Sequence, residues 1–275
     1  MKRAGVVIAM LGIAALSFAQ DKPAAQSAPA AGQATPAPAG KRPPQAKTQP
    51  EFDAYKAAAA LTDPAAQEKA ATDFAGKYPD SELRSLLYKA VMHSYLQANN
   101  GEKMMEMAQK VLSFDPDDPE ALVGTAQVLA ERTRDTDLDR DQRLAEARKD
   151  AQRALVTVDT DVPTANQPPE RIELYKSFLR SDAYQILGTI DYNNKAWAAA
   201  ETNLRKSIDA FPQQIDPVAV LRLSLTLDQE NKYPEALKYA NQAVDLTKEG
   251  TASGDAARKE KDRLTQLTGG APPAK

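Results

Sequence analysis

Most protein chemistry at neutral pH is built on histidine and cysteine, and the 275-residue chain holds one histidine, His93, and no cysteine. Without cysteine, disulfides, thiolate nucleophiles and Cys-based metal sites are excluded. One histidine leaves a zinc site with too few ligands. A Ser-His-Asp arrangement would have to use His93, and the chain has neither a Gly-x-Ser-x-Gly elbow nor a glycine-rich phosphate loop. His93 follows Met92 in a helical pattern, where it reads as a groove-lining or surface residue rather than a catalytic one. Acidic residues number 38, so counting alone does not dismiss a paired-acid glycosidase. Most of them, however, stand beside Lys or Arg at helical spacing, as Glu201 does with Arg205 and Glu235 near Lys238 and Tyr239, which is the pattern of solvated helix faces. Asp115, Asp117 and Asp118 lack the Gly-containing loop and closing Glu of a calcium site and read as turn and N-cap residues. Met104, Met105 and Met107 form a soft cluster better suited to filling space between helices than to contacting a partner. The inventory points to no catalytic residue, no metal and no cofactor, and so to a non-enzymatic role.

The elements that would carry these residues are helices. Ala, Leu, Gln, Lys, Glu and Asp dominate, glycine amounts to 12 residues and aromatics to 6%. Good helix formers fill the chain from Glu51 to Leu267, and period-two runs of β-branched residues are hard to find. Short breaks punctuate the helical pattern. Asp63-Pro64 opens one helix, and Tyr78-Pro79-Asp80-Ser81 closes it and caps the next. Asn99-Asn100-Gly101, Asp115-Pro116, Asn193-Asn194, Phe211-Pro212 and Asp216-Pro217 follow. Their spacing suits paired antiparallel helices.

The N-terminus has the form of a secretory signal over residues 1–19. Lys2 and Arg3 precede an apolar stretch from Ala4 to Leu16, and Ser17-Phe18-Ala19 supplies small residues before a cut at Gln20. The stretch falls short of the roughly 18–20 apolar residues that span a bilayer, so stable membrane insertion after cleavage is not expected. Residues 20–50 carry Pro23, Pro29, Pro36, Pro38, Pro43, Pro44 and Pro50 among Ala, Gln and Ser. Such a segment buries too little to offset its ordering entropy and reads as a disordered linker, as does the tail 269–275. The formal charge is −3, from 35 basic and 38 acidic residues. Loss of Lys2 and Arg3 would make it −5, which offers no basic face to nucleic acid.

Self-similarity organises the rest. From Ser181 the chain reads Tyr184-x-x-Leu187-Gly188, then Ala200-x-x-x-Leu204, then Pro212. The next unit places Val220, Leu223, Ser224 and Leu227 on a first helix and Tyr233, Ala236, Ala240 and Ala243 on a second. Gly188 and Ser224 are small where two helices would cross. This pattern resembles the tetratricopeptide repeat (TPR) family, departing from it at Asp191, where the family has Tyr and the neighbouring Tyr192 partly substitutes. Weaker units upstream carry Tyr88, Val91, Tyr95, Ala108 and Val111, and then Leu122, Ala126, Leu129, Leu144, Ala147, Ala151 and Ala154. In the first of these Met92 replaces the small residue, and in the second a polar insertion at about 132–142 parts the helices. The resemblance implies an all-α, right-handed superhelical solenoid of antiparallel helix pairs over 51–268. Its units would lie at about 52–80, 85–118, 119–159, 181–214 and 217–250, with a capping helix at 255–268 whose Leu264 and Leu267 cover the last repeat. The proline-rich stretch 160–170 interrupts the array.

In this family the ligand site is the concave groove of first helices. Carried onto this sequence, the groove would show Lys89, His93 and Gln97, then Val123 and Gln127, then Gln185, Thr189 and Asn193, and finally Leu221, Leu225 and Gln229. The charged clamp with which some relatives grip a C-terminal carboxylate is matched only by Lys89 and Asn193. A polar, Gln-rich groove with an apolar patch suits an extended peptide or a partner helix. The resemblance and the export signal together imply a non-catalytic protein-interaction scaffold of the bacterial periplasm or envelope. The alternative is an envelope enzyme or carbohydrate-binding protein using groove carboxylates. Self-association through stacked repeats is a third arrangement that the pattern allows.

Overall fold

The computed structural model describes residues 41–163 and 167–269. The signal, most of the linker and the tail from residue 270 lie outside them. The described chain forms eleven α-helices and no strand: α1 Gln49–Ala59, α2 Pro64–Lys77, α3 Leu83–Gln97, α4 Gly101–Phe114, α5 Pro119–Arg132, α6 Arg140–Thr157, α7 Pro169–Asn193, α8 Trp197–Ala210, α9 Pro217–Gln229, α10 Tyr233–Leu246 and α11 Ala252–Leu267.

Local chemistry sets their ends. The Asp63 carboxylate accepts from the Ala66 N–H at 2.8 Å with Pro64 in the first turn, and Asp216 caps α9 from the Val218 N–H in the same way. Asn100 caps α4 by accepting from the Lys103 N–H at 3.2 Å. At the start of α3 the flanking residue Glu82 makes no cap bond, and Ser81 Oγ instead accepts from the Leu83 N–H at 3.1 Å.

Three of the turns between helices share one backbone solution. Asn99, Lys195 and Asn231 all have positive φ, at 56°, 57° and 61°. The next residue's N–H in each case reaches back five residues, Asn100 to Tyr95 O, Ala196 to Asp191 O and Lys232 to Leu227 O, each at 2.9 Å. This is the Schellman closure of a helix C-terminus, and it reverses the chain so that each second helix lies antiparallel against its first.

The chain divides into two compact units. One holds the described residues up to Ala121 and those between Thr157 and Ile172; the other holds Leu122–Val156 and the residues from Glu173 onward. In the first, α1 packs on α2 and α3, α2 on α3, and α3 on α4. In the second, α8 packs on α9, α9 on α10, and α11 on both α9 and α10. Within each of these sets a helix meets the next, and α1 with α3 and α9 with α11 also meet the next but one, as consecutive helix pairs require.

Two features differ from the sequence expectation. The chain between Lys41 and residue 50 is held in place rather than belonging to a disordered linker. The Lys41 N–H donates to Thr160 O at 3.0 Å, its ammonium pairs with Asp115 at 2.5 Å, and Arg42 pairs with Glu82. Further along, α7 begins at Pro169 and not near Ser181, so the stretch 160–170 is partly helical. The repeat signature marks where helices touch, and a helix extends past that contact wherever its residues tolerate it.

Candidate binding face of the first helices

The second unit is built around one apolar cluster. Leu204, Leu223, Leu227, Leu264, Ala200, Ala219, Ala236 and Ala240 are fully buried in it. Gly188 permits the α7–α8 crossing, since a Cβ there would stand 2.7 Å from Leu204 Cγ and 3.2 Å from the Leu204 backbone nitrogen. On α9 the equivalent residue, Ser224, is wholly buried and its hydroxyl donates to Ala236 O at 2.8 Å. Asp191, the departure from the repeat pattern, is a buried carboxylate held by Arg148 of α6 at 2.5 Å and by the Asn203 amide of α8 at 2.8 Å. Beside it, Tyr192 packs edge-on against Trp197. The second helices are tied by Arg205, whose guanidinium meets Glu201 at 2.8 Å, Glu235 at 2.7 Å and the Tyr239 hydroxyl at 2.8 Å. These carboxylates are therefore not merely solvated.

This packing carries α7 and α9 with the expected groove residues at one-turn intervals. On α7, Gln185 is half-buried, Thr189 buried and Asn193 exposed. On α9 the expected groove residue Leu221 is instead buried in a second apolar cluster with Val220, Ala243 and Ala257, half-buried Leu225 packs against that cluster, and Gln229 is exposed. The face thus opens toward the C-terminal ends of the two helices. The Thr189 hydroxyl donates to Gln185 O at 2.8 Å and accepts from Arg222 Nη1 at 2.9 Å, which ties α7 to α9. Gln185 Oε1 is buried without a partner in the protein.

Arg222 is absent from the set read off the sequence. Its signal is nonetheless visible, as the single charged side chain in the run Val218–Leu227. Burial pushes its guanidinium below the ordinary arginine value, against the longer-range attraction of Glu131, Asp216 and the Tyr192 oxygen.

The upstream residues are placed differently. Gln127 on α5 is half-buried and bonds to Glu131 at 3.1 Å, and Val123 is buried. In the first unit Gln97 is exposed, whereas Lys89 and His93 are engaged internally. The Lys89 ammonium lies 2.6 Å from Asp118 and 3.3 Å from Glu120, and His93 Nε2 lies 2.5 Å from the other Glu120 oxygen. Burial alone would lower the Lys89 ammonium, but the two carboxylates outweigh it and hold the group above its ordinary value. Burial, with Glu120 nearby, lifts the Asp118 carboxyl despite the pull of Lys89. Lys89 is therefore spent on a buried charge cluster that pins the start of α5, where Asp118 accepts from the Ala121 N–H at 2.9 Å. Met104 and Met107 are core residues, and Asp115 and Asp118 serve as ion-pair and cap residues. Among the described residues no group of three His, Asp or Glu side chains is arranged to hold a metal ion.

The class of protein defined by this fold is an all-α chain of consecutively packed helix pairs. The chain matches no protein-family model and no curated protein sequence. Among solved structures it is similar to the Assembly Chaperone of RpL4 (Acl4), residues 1–338, at 12% identity, covering 79% of this chain and 98% of that chain with a TM-score of 0.39. A likeness this distant carries no inference about function.

Proposed function

We propose that the protein is a non-catalytic binding scaffold of the tetratricopeptide type, which holds a partner protein through an extended segment laid along α7 and α9. The observation that carries this reading is the row from half-buried Gln185 and Leu225 to exposed Asn193 and Gln229, where amide and leucine side chains stand on a face that opens toward the C-terminal ends of α7 and α9. Amides serve the backbone of an extended peptide and leucines serve its side chains. The secretory form of residues 1–19 assigns the scaffold to the bacterial envelope.

A photo-crosslinking amino acid placed at Asn193 or Gln229, and as a control at Lys259 on the exposed side of α11, tests the scaffold reading in envelope extract. Saturable adducts with one protein from the first two positions and none from Lys259 are expected. Adducts formed equally from all three, or from none, would overturn it. A reporter active only outside the cytoplasm, joined after residue 40, tests export separately, and retention of the reporter inside the cell would refute the envelope assignment.

A further inference from the structure

We infer that Arg222, anchored by Thr189, is a subsite for the carboxylate of an acidic side chain carried by an extended peptide lying on α7 and α9. The inference rests on the scaffold reading and adds the chemistry of one position in the ligand.

The case begins with how this unit treats its other arginines. Arg148 holds Asp191 at 2.5 Å, Arg205 holds Glu201 and Glu235 at 2.8 and 2.7 Å, and Arg263 holds Asp228 at 2.5 Å and Glu260 at 3.2 Å. Arg222 has no carboxylate within ion-pair distance among the described residues. Its hydrogen bond within the protein is the one from Nη1 to Thr189. A guanidinium has five N–H donors in a planar fork, so most of its capacity is unused. The side chain is half-buried and not enclosed. The Thr189 hydrogen is committed to Gln185 O, so the oxygen can only accept from Arg222, which fixes one amino group and leaves the rest of the fork free.

A charge placed within an apolar helix run is costly unless compensated, and Leu221 and Leu223, both buried, flank it in sequence. The partial desolvation that lowers Arg222 also strengthens any ion pair formed there. Glu131 and Asp216 act on it from beyond contact distance, and the two oxygens of one carboxylate match its planar fork. Gln185 lies on one side of the Thr189 anchor and Asn193 on the other along α7, and Leu225 and Gln229 follow Arg222 along α9. A chain crossing this face would therefore present an internal side chain here and not its end.

The test uses the whole chain, labelled with nitrogen-15 in arginine, and follows the Arg222 Nε–H resonance, identified by its loss in Arg222→Lys. The probes are acetyl-Ala-Ala-Glu-Ala-Ala-amide, the same peptide with Gln in place of Glu, and acetyl-pentaalanine with a free C-terminal carboxylate. The Glu peptide is expected to shift the resonance saturably, with binding at least about tenfold tighter than the Gln peptide, as a charge-assisted pair in a partly desolvated site implies. Thr189→Val, which keeps the charge but removes the anchor, should weaken the Glu peptide several-fold. Equal binding of the Glu and Gln peptides, or a shift produced only by the free C-terminus, would overturn the subsite. If envelope adducts at Asn193 and Gln229 persist in Arg222→Lys with undiminished yield while the peptide pair shows no preference, the scaffold reading stands and this inference falls. Should Arg222→Lys fail to fold, the peptide comparison on the unaltered chain and on Thr189→Val still decides.

Discussion

Buried charges differ in whether the protein itself compensates them. Lys89 sits between Asp118 and Glu120, and removing it takes the ion-pair partner from the buried Asp118 carboxylate, while Glu120 keeps His93. Lys89→Met is accordingly expected to lower stability by about 3 kcal/mol, since an uncompensated buried charge costs more than the intact pair contributes; urea denaturation measures it. Asp150 on α6 is uncompensated in the opposite sense. Burial, then the neighbouring Glu146, push its carboxyl up to about 6 against the pull of Lys149. A folded-state value above the unfolded one means that the protonated form is favoured on folding. Its contribution is therefore present below about pH 4 and lost as pH rises through about 6. Asp150→Asn should then stabilise the protein at pH 7 by about 1 kcal/mol, allowing for screening of a half-exposed group. The gain should vanish in parallel denaturations near pH 4, and a variant equally stabilised at both pH values would refute the cause assigned. Arg222 completes the series as a cation whose compensation comes from outside the chain. Its isolation in an apolar run was legible in the sequence. That Thr189, 33 residues away, holds it without neutralising it was not.

Between elements, small residues and left-handed turns decide how closely the helices pair. Gly188→Ala gains helix propensity of about 1 kcal/mol, but its Cβ meets Leu204, which is fully buried and has nowhere to retreat. A net loss of about 2 kcal/mol is expected from the overpacking, and a variant of unchanged melting temperature would show that the crossing yields. Lys195→Gly should act in the other direction. Lys195 occupies the left-handed position that Asn99 and Asn231 fill elsewhere, and glycine there removes a steric cost of about 1 kcal/mol. The small residue at the crossing was readable from its place in the repeat. The turn residue was not, because lysine carries no local preference for left-handed backbone, although Asn193-Asn194 marks where α7 ends. The length of α7 escaped for a related reason. Repeat spacing records contacts, whereas Pro169 in the first turn sets where that helix begins.

At the scale of the whole molecule, an array of stacked helices must close its ends. Leu264 of α11 is fully buried against the cluster of Leu223, Leu227 and Leu237, while Leu267, expected beside it, is 52% exposed. Arg263 adds an ion pair back to Asp228 of α9. Leu264→Ala should cost about 3 kcal/mol, and a chain ending at Thr247 should expose the cluster and associate, which light scattering at two concentrations would detect. A truncated chain that stayed monomeric and equally stable would show that α11 is dispensable to the array.

The all-α class, the rhythm of paired helices, the caps at Asp63, Asn100 and Asp216 and the small residue at Gly188 were all determined by the sequence. Each depends on residues within a few turns of one another, through propensity, hydrogen bonding to the nearest backbone or the period of apolar side chains. The tertiary structure alone decided which polar side chains are consumed by the fold and which remain for a partner. His93 and Thr189 stood at equivalent places in the repeat, yet one is engaged by a carboxylate of the fold and the other anchors a cation that the protein leaves unpaired. That difference arises from which groups meet across separate helices, and no local pattern carries it.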